Sequence, residues 1–149
     1  MTIIRSEATR TVEAAPERVY AVFSDYEKAH PAILPKPYFD KIVLEAGGQG
    51  AGTVVRVRLK GMGTETNYRL TVSEPEPGRR LVEADPDAGV RTTFLVEPRD
   101  GGRHTQVTIT IDTRASAGLK GQVERLILPT FSRRVLQKEL QLLVDYLAE

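Results

Sequence analysis

Residues 53–72 read TVVRVRLKGMGTETNYRLTV, and this stretch decides the fold. Within residues 53–60 the apolar side chains Val55, Val57 and Leu59 alternate with basic ones. A period of two is typical of a β-strand with one buried face, because successive side chains point to opposite sides. Glycines at 61 and 63 predict a turn, and residues 67–72 alternate again, so the stretch is predicted to form an antiparallel hairpin.

The same alternation continues on both sides of this hairpin. Ile42 and Leu44 predict a strand before it, joined to it by the glycine-rich turn at 47–52. Further strands are predicted at 80–84 and 90–96 and around Val107, Ile109 and Ile111, each bounded by proline or glycine turns. Connections this short favour an antiparallel meander, because parallel strands need long crossovers.

Helical patterns flank the meander. Residues 3–13 predict a first strand, and the apolar spacing from Val19 to Tyr26 predicts a short helix that starts near Pro16. Three prolines within 26–38 predict a broken helical turn and a loop. Residues 119–148 predict a long helix with a kink at Pro129. Its two apolar stripes and its length predict that the helix packs lengthwise across the sheet. The stripes are Val123, Leu126, Ile127 and Phe131, and then Leu136, Leu140, Leu143 and Leu147.

The amino-acid composition limits the classes of protein to which the chain can belong. The 149 residues are 40% hydrophobic and 28% charged, which fits one α+β domain over residues 1–149. The net charge of +1 provides no global attraction to nucleic acid. Cysteine is absent, which excludes disulfides and thiolate chemistry. Without a signal-peptide pattern or an apolar run long enough for a membrane span, the expected location is cytoplasmic.

Three segments carry a family resemblance: residues 15–26, APERVYAVFSDY; residues 50–55, GAGTVV; and residues 139–147, ELQLLVDYL. In that order they resemble the opening strand-to-helix segment, the second hairpin and the closing helix of the START-like (SRPBCC) superfamily, in its polyketide cyclase/dehydrase-like branch. The resemblance implies a helix-grip fold, in which a curved antiparallel sheet of about seven strands wraps a long C-terminal helix and two short helical pieces follow the first strand.

Members of this superfamily bind lipids, hormones or polyketides, and some are enzymes. The resemblance therefore implies a small hydrophobic or amphipathic ligand in an internal cavity, without a cofactor. Two alternatives stay open: an enzyme of the cyclase/dehydratase type, or a structural or interaction protein whose cavity has collapsed. The candidate ligand-binding residues, which are equally suited to plain core packing, are His30, Ile33, Leu34, Val57, Leu59, Tyr68, Leu70, Phe94, Ile109, Ile127 and Phe131.

Within this set, Tyr68 is a candidate polar handle for the ligand. The segment from His30 to Leu34, together with Tyr38, is a candidate lid over the open end. The alternative for this segment is a rigid connector with an exposed histidine.

Catalytic and metal motifs are missing from the sequence. The two histidines, His30 and His104, lack metal-ligand spacing, and the residues around Ser116 lack the first glycine of a nucleophile elbow. We therefore predict no metal site. Arg91 and Asp112 lie on polar strand phases, and a bulge in either strand would turn one of them inward as a catalytic or anchoring group.

A basic stripe runs along the polar face of the hairpin and predicts a solvated surface. It lacks interleaved aromatic residues for base stacking, which disfavours a nucleic-acid partner. Its members are Arg56, Arg58, Lys60 and Arg69.

Overall fold

The computed structural model describes residues 2–149, so Met1 lies outside the described chain. An antiparallel sheet is followed by a long C-terminal helix, and two short helices follow the first strand, which confirms the predicted α+β helix-grip fold. The strands are β1 (Ile3–Val12), β2 (Phe39–Ala46), β3 (Val54–Gly61), β4 (Thr64–Glu76), β5 (Arg80–Asp85), β6 (Val90–Arg99) and β7 (His104–Arg114). The helices are α1 (Pro16–Ser24), α2 (Ala29–Ile33) and α3 (Gly118–Ala148), with a 3-10 turn at Asp100–Gly102.

The strand order in the sheet is β1-β7-β6-β5-β4-β3-β2. Strands β2 to β7 form the predicted meander, and β1 closes it by pairing with β7. Register shifts between Phe39 and Lys41, and between Ser73 and Glu76, interrupt the ladders. Shifts of this kind bend strands, so they help the sheet to present a concave face to α3.

Alternation along the strands separates a buried face from an exposed one. Val55 and Val57 of β3, and Leu70 and Val72 of β4, point inward and are buried. The basic stripe lies on the opposite face, where acidic side chains of β2 pair with it. Its ion pairs are Arg58–Asp40 and Lys60–Asp40 at 2.8 and 2.9 Å, and Arg56–Glu45 and Arg69–Glu45 at 2.6 and 2.8 Å. Hydrogen bonds from Arg58 and Arg69 lower the pKa of Asp40 and of Glu45, respectively.

Arg91 and Asp112, which only a bulge would turn inward, point outward. Strands β6 and β7 pair in unbroken register, with Arg91 opposite Asp112. Arg91 is exposed, and Asp112 forms an ion pair with Arg5 of β1 at 2.7 Å. The question that the sequence left open is thereby answered, because without a bulge both residues keep the polar phase of their strands.

Helix α3 buries its leucines against the sheet in its C-terminal half. Leu136, Leu140 and Leu143 are buried there, as their spacing predicts. In the N-terminal half Val123 and Leu126 are exposed, Leu126 by 79%. The prediction that both stripes pack on the sheet is wrong for the first stripe, because the helix there lies over empty space. Pro129 lies inside the helix and does not end it.

No helix within residues 2–149 is long and apolar enough to cross a membrane.

Candidate ligand-binding site

A cavity of about 900 Å³ lies between the concave face of the sheet and α3. Its volume falls in the range of roughly 300–1,000 Å³ that is usual for small-molecule sites. The wall is mainly apolar: Val57, Leu70 and Phe94 face it from the sheet, and Ile127 and Phe131 face it from α3. The cavity exists because the N-terminal half of α3 does not pack closely against the inner face of the sheet.

The residues predicted to contact a ligand lie along this wall, with two exceptions. Ile33 and Ile109 are fully buried elsewhere in the core and do not line the cavity. Burial raises the pKa of Tyr68, the predicted polar handle, which does line the cavity. That the lining residues bind a ligand stays a prediction. The predicted residues found on the wall are His30, Leu34, Val57, Leu59, Tyr68, Leu70, Phe94, Ile127 and Phe131.

The cavity opens between the β3–β4 hairpin and the start of α3. Met62 of the hairpin and Val123 of α3 both line the cavity and are about half exposed, which marks the opening. Behind this mouth the Phe131 ring lies so close to Gly61 that a Cβ added there would overlap it. A glycine at position 61 therefore lets α3 approach the hairpin and close the wall behind the mouth.

His30 lies far from this mouth, at the inner end of the cavity. Its side chain is 2% exposed, so both the predicted lid and the alternative of an exposed histidine are wrong for this residue. The reason lies in the turn before α2, where the Asp25 carboxylate accepts hydrogen bonds from the backbone N–H groups of Glu27, Lys28 and Ala29. This turn folds the chain back, so that the His30 ring points inward and stacks on Tyr26 with centroids 4.5 Å apart.

Four polar side chains meet at this inner end: Tyr26, His30, Glu83 and Glu139. We call them the inner polar cluster. The Tyr26 hydroxyl donates a hydrogen bond of 2.5 Å to Oε2 of Glu83. His30 Nε2 lies 3.5 Å from the same oxygen. His30 Nδ1 is 2.6 Å from the carbonyl oxygen of Phe23, which can only accept, so Nδ1 carries a proton.

Glu139 completes the inner polar cluster from α3. It is 4% exposed, and its Oε2 has no hydrogen-bond partner among residues 2–149. Burial, followed by the charge of Glu83, raises the pKa of Glu139 well above its usual range. Burial and the charge of Glu83 likewise raise the pKa of Tyr26. The cluster thus combines a carboxyl group that retains its proton, a buried phenol and a second carboxyl group beside an imidazole.

Sequence reasoning missed Tyr26, Glu83 and Glu139 as site residues. Glu139 lies three residues after Leu136 and four before Leu143, so it interrupts a buried apolar stripe. An acidic residue at an apolar position of a helix can be seen in the sequence alone and indicates a candidate site residue. Glu83 was harder to assign, because Leu81 and Val82 are both apolar and leave the phase of β5 ambiguous. Pairing of Leu81 with Phe94 places Glu83 on the inward face.

Among residues 2–149, no group of three or more histidine or acidic side chains is arranged to hold a metal ion.

Residues 4–148 match the protein family described as polyketide cyclase / dehydrase and lipid transport. The KanY protein has a similar solution structure, with a TM-score of 0.85, 25% identity and full coverage of both chains. The Zhui aromatase/cyclase from Streptomyces sp. R1128 aligns with a TM-score of 0.73 and 21% identity over 97% of this chain and 93% of its own. A START superfamily protein from Mycobacterium smegmatis aligns with a TM-score of 0.70 and 17% identity over 96% and 98% of the two chains.

At these identities the last two structures establish the fold alone. No curated protein is similar enough to the sequence to count as a relative.

Proposed function

The chain belongs to the family of polyketide cyclases, dehydrases and lipid-transport proteins, and from that membership we propose that it binds a small, largely apolar molecule between the sheet and α3. We place this activity in one domain spanning residues 1–149, in the cytoplasm. The observation that supports it most strongly is the cavity of about 900 Å³ with an apolar wall and an opening beside Met62 and Val123.

Apolar surface that lines an empty cavity loses the packing contacts that a core would give it, so such a cavity destabilises the fold unless something fills it. A ligand that buries this surface recovers hydrophobic free energy of about 25 cal/mol per Å². A purely structural protein with a collapsed cavity fits less well, because this volume exceeds the few hundred Å³ that a drug-sized ligand requires.

A second candidate function is an enzyme of the cyclase/dehydratase type, and the inner polar cluster favours it. Such chemistry needs a proton donor and a proton acceptor within reach of one substrate. Glu139 retains its proton, and Glu83 beside His30 offers an acceptor in the same cavity.

Ligand binding is tested with N-phenyl-1-naphthylamine, an uncharged apolar probe whose fluorescence rises in an apolar site. We expect saturable fluorescence with the wild type and its loss in Ile111→Trp, which fills the cavity from β7. Val43→Trp, on an exposed side chain of β2, is the matched control and should bind like the wild type. Absence of saturable binding to the folded wild type would contradict the proposal.

The natural ligand and the enzymatic alternative are tested separately. Native mass spectrometry of protein purified from its own host should show an added mass that Ile111→Trp lacks. If the protein is an enzyme, an isolated polyketide-like ligand should lose water or cyclise on incubation with the wild type but not with Glu139→Gln. Recovery of the ligand unchanged from the wild type would leave the binding proposal and remove the enzymatic one.

A further inference from the structure

The basic groups along the cavity are unevenly distributed. Glu83 and Glu139 lie at the inner end, whereas Arg114 and Lys120 line the cavity toward the exposed mouth, together with Glu65 and Glu124. Within residues 2–149, His30 is therefore the basic side chain of the inner end. A ligand carboxylate placed there would lie beside the negative charge of Glu83 at low dielectric, where repulsion is strong.

Hydrogen bonds inside the inner polar cluster occupy the donors of Tyr26 and of His30 Nδ1. The Tyr26 O–H is donated to Glu83, and the His30 Nδ1–H is donated to the carbonyl oxygen of Phe23. A carboxyl oxygen has two lone pairs, so Oε2 of Glu83 can accept more than the phenol hydrogen bond. Among residues 2–149, Glu139 Oε2 has no partner. The inner end therefore offers carboxyl oxygens to whatever occupies the cavity.

An unpartnered buried carboxyl oxygen destabilises a fold unless something pairs with it. Glu139 lies on a helical face otherwise occupied by Leu136, Leu140 and Leu143, where a leucine would pack without this penalty. The complement to such a group is a donor with several N–H bonds and a positive charge, since hydrogen bonds between ions are the stronger ones.

We propose that the cavity selects apolar molecules that carry a protonated amine, and that the ammonium group lies innermost, between Glu83 and Glu139. The inference rests on the proposed function and names its ligand class. An ammonium supplies three N–H donors to the two carboxyl groups, whereas an alcohol supplies one donor and no charge. The apolar body of the ligand then extends toward the mouth along Val57, Leu70 and Ile127.

Amine binding should also release a proton from Glu139 to solvent. Glu139 holds its proton in the empty cavity because burial and Glu83 raise its pKa. The other titratable groups facing it at the inner end are Tyr26 and His30. When an ammonium arrives, Glu139 releases its proton to solvent, and the ammonium, which keeps its own, pairs with the carboxylate that remains.

The test uses three probes with one apolar body: naphthylethylamine, naphthylethanol and naphthylacetate. Isothermal titration calorimetry with the wild type at neutral pH should show the amine binding at least about tenfold more tightly than the alcohol, and the acetate binding most weakly. Titrations in two buffers of different ionisation enthalpy should show about one proton released per amine bound and none per alcohol.

Glu139→Gln should reduce the preference for the amine over the alcohol to about twofold or less and abolish proton release. Asp145→Asn, an exposed acid on the same helix, is the matched control and should retain the preference. The proton count on the wild type tests the proposal even if Glu139→Gln fails to fold.

An alcohol or acetate that binds as tightly as the amine would overturn the inference and leave the binding function intact. If none of the three compounds and no uncharged probe binds, the inference and the proposed function both fail.

Discussion

The hydroxyl of Tyr26 and Oε2 of Glu83 lie 2.5 Å apart, although 57 residues separate them in sequence and both side chains are buried. The bond links the turn after α1 to the middle of β5, and it holds Glu83 at the inner end of the cavity. Because water cannot easily replace the phenol, the carboxyl group depends on this donor.

Tyr26→Phe should therefore lower the free energy of unfolding by about 1–3 kcal/mol, since it leaves a buried carboxyl oxygen without its donor. Chemical denaturation with urea measures the change. Tyr146→Phe, at a partly buried position on α3, is the control and should change stability little. Equal stability of Tyr26→Phe and the wild type would mean that this hydrogen bond makes no net contribution to the free energy of unfolding.

Glu139 should make stability fall as pH rises. Its pKa is raised in the folded protein, so at pH values above the unfolded pKa the native state binds more protons than the unfolded state. The stabilisation is complete below the unfolded pKa of about 4.3 and is lost as pH rises through the folded value.

Glu139→Gln cannot titrate, so its stability relative to the wild type should increase from pH 5 to pH 8, by up to about 1.4 kcal/mol per pH unit. Urea denaturation at several pH values measures this difference, and Tyr26, His30 and Glu83, which face position 139, are present in both proteins. A difference that stays constant with pH would contradict the raised pKa.

An introduced charge should affect folding differently in the two halves of α3. Leu140→Asp should abolish cooperative folding, because an unpaired charge at this buried position costs several kcal/mol. Leu126→Asp, on the exposed face of the same helix, should fold with nearly unchanged stability. Thermal melting followed by circular dichroism separates the two outcomes, and a cooperatively melting Leu140→Asp would refute the packing of the C-terminal half.

Phe94→Ala should both destabilise the protein and enlarge the cavity. Phe94 packs against Phe23 with ring centroids 4.8 Å apart and lines the cavity, so its loss should cost roughly 3–5 kcal/mol. Leu81→Ala, equally buried but away from the cavity, is the control. Only Phe94→Ala should gain affinity for bulkier apolar probes in fluorescence competition. Identical probe preferences in both variants would make Phe94 a core residue alone.

Chelation should leave the protein unchanged. Because no metal-binding group is found within residues 2–149, the melting temperature in EDTA should equal that in buffer. A fall of several degrees, restored by a divalent cation, would reveal a structural metal.

The sheet was predictable because its strands alternate so regularly. Val55 and Val57 could point inward only if Arg56 and Arg58 pointed outward, and short turns left an antiparallel meander as the simplest arrangement. The pairing of β1 with β7 was not predicted, since no local pattern encodes a partner so distant in sequence.

The inner end of the cavity was not predictable in the same way. The periodicity of Val123 and Leu126 predicts an apolar helix face, but it does not predict how far that face lies from the opposing sheet. His30 was placed at a lid because it follows a helix and precedes prolines, whereas the turn capped by Asp25 reverses the chain and buries it. Burial of a polar group depends on contacts between distant segments, which a single sequence does not display.

The pairing of β1 with β7 also governs how the protein can be made. Ile4 has its partner at Thr113, so the first strand leaves the ribosome long before the strand that it must join has been synthesised. Until then its apolar side chains and unpaired edge are available to other chains, which favours aggregation. Topologies dominated by such distant pairings fold slowly, typically in milliseconds to seconds. Protection of β1 by a chaperone during synthesis should therefore increase the yield of folded protein.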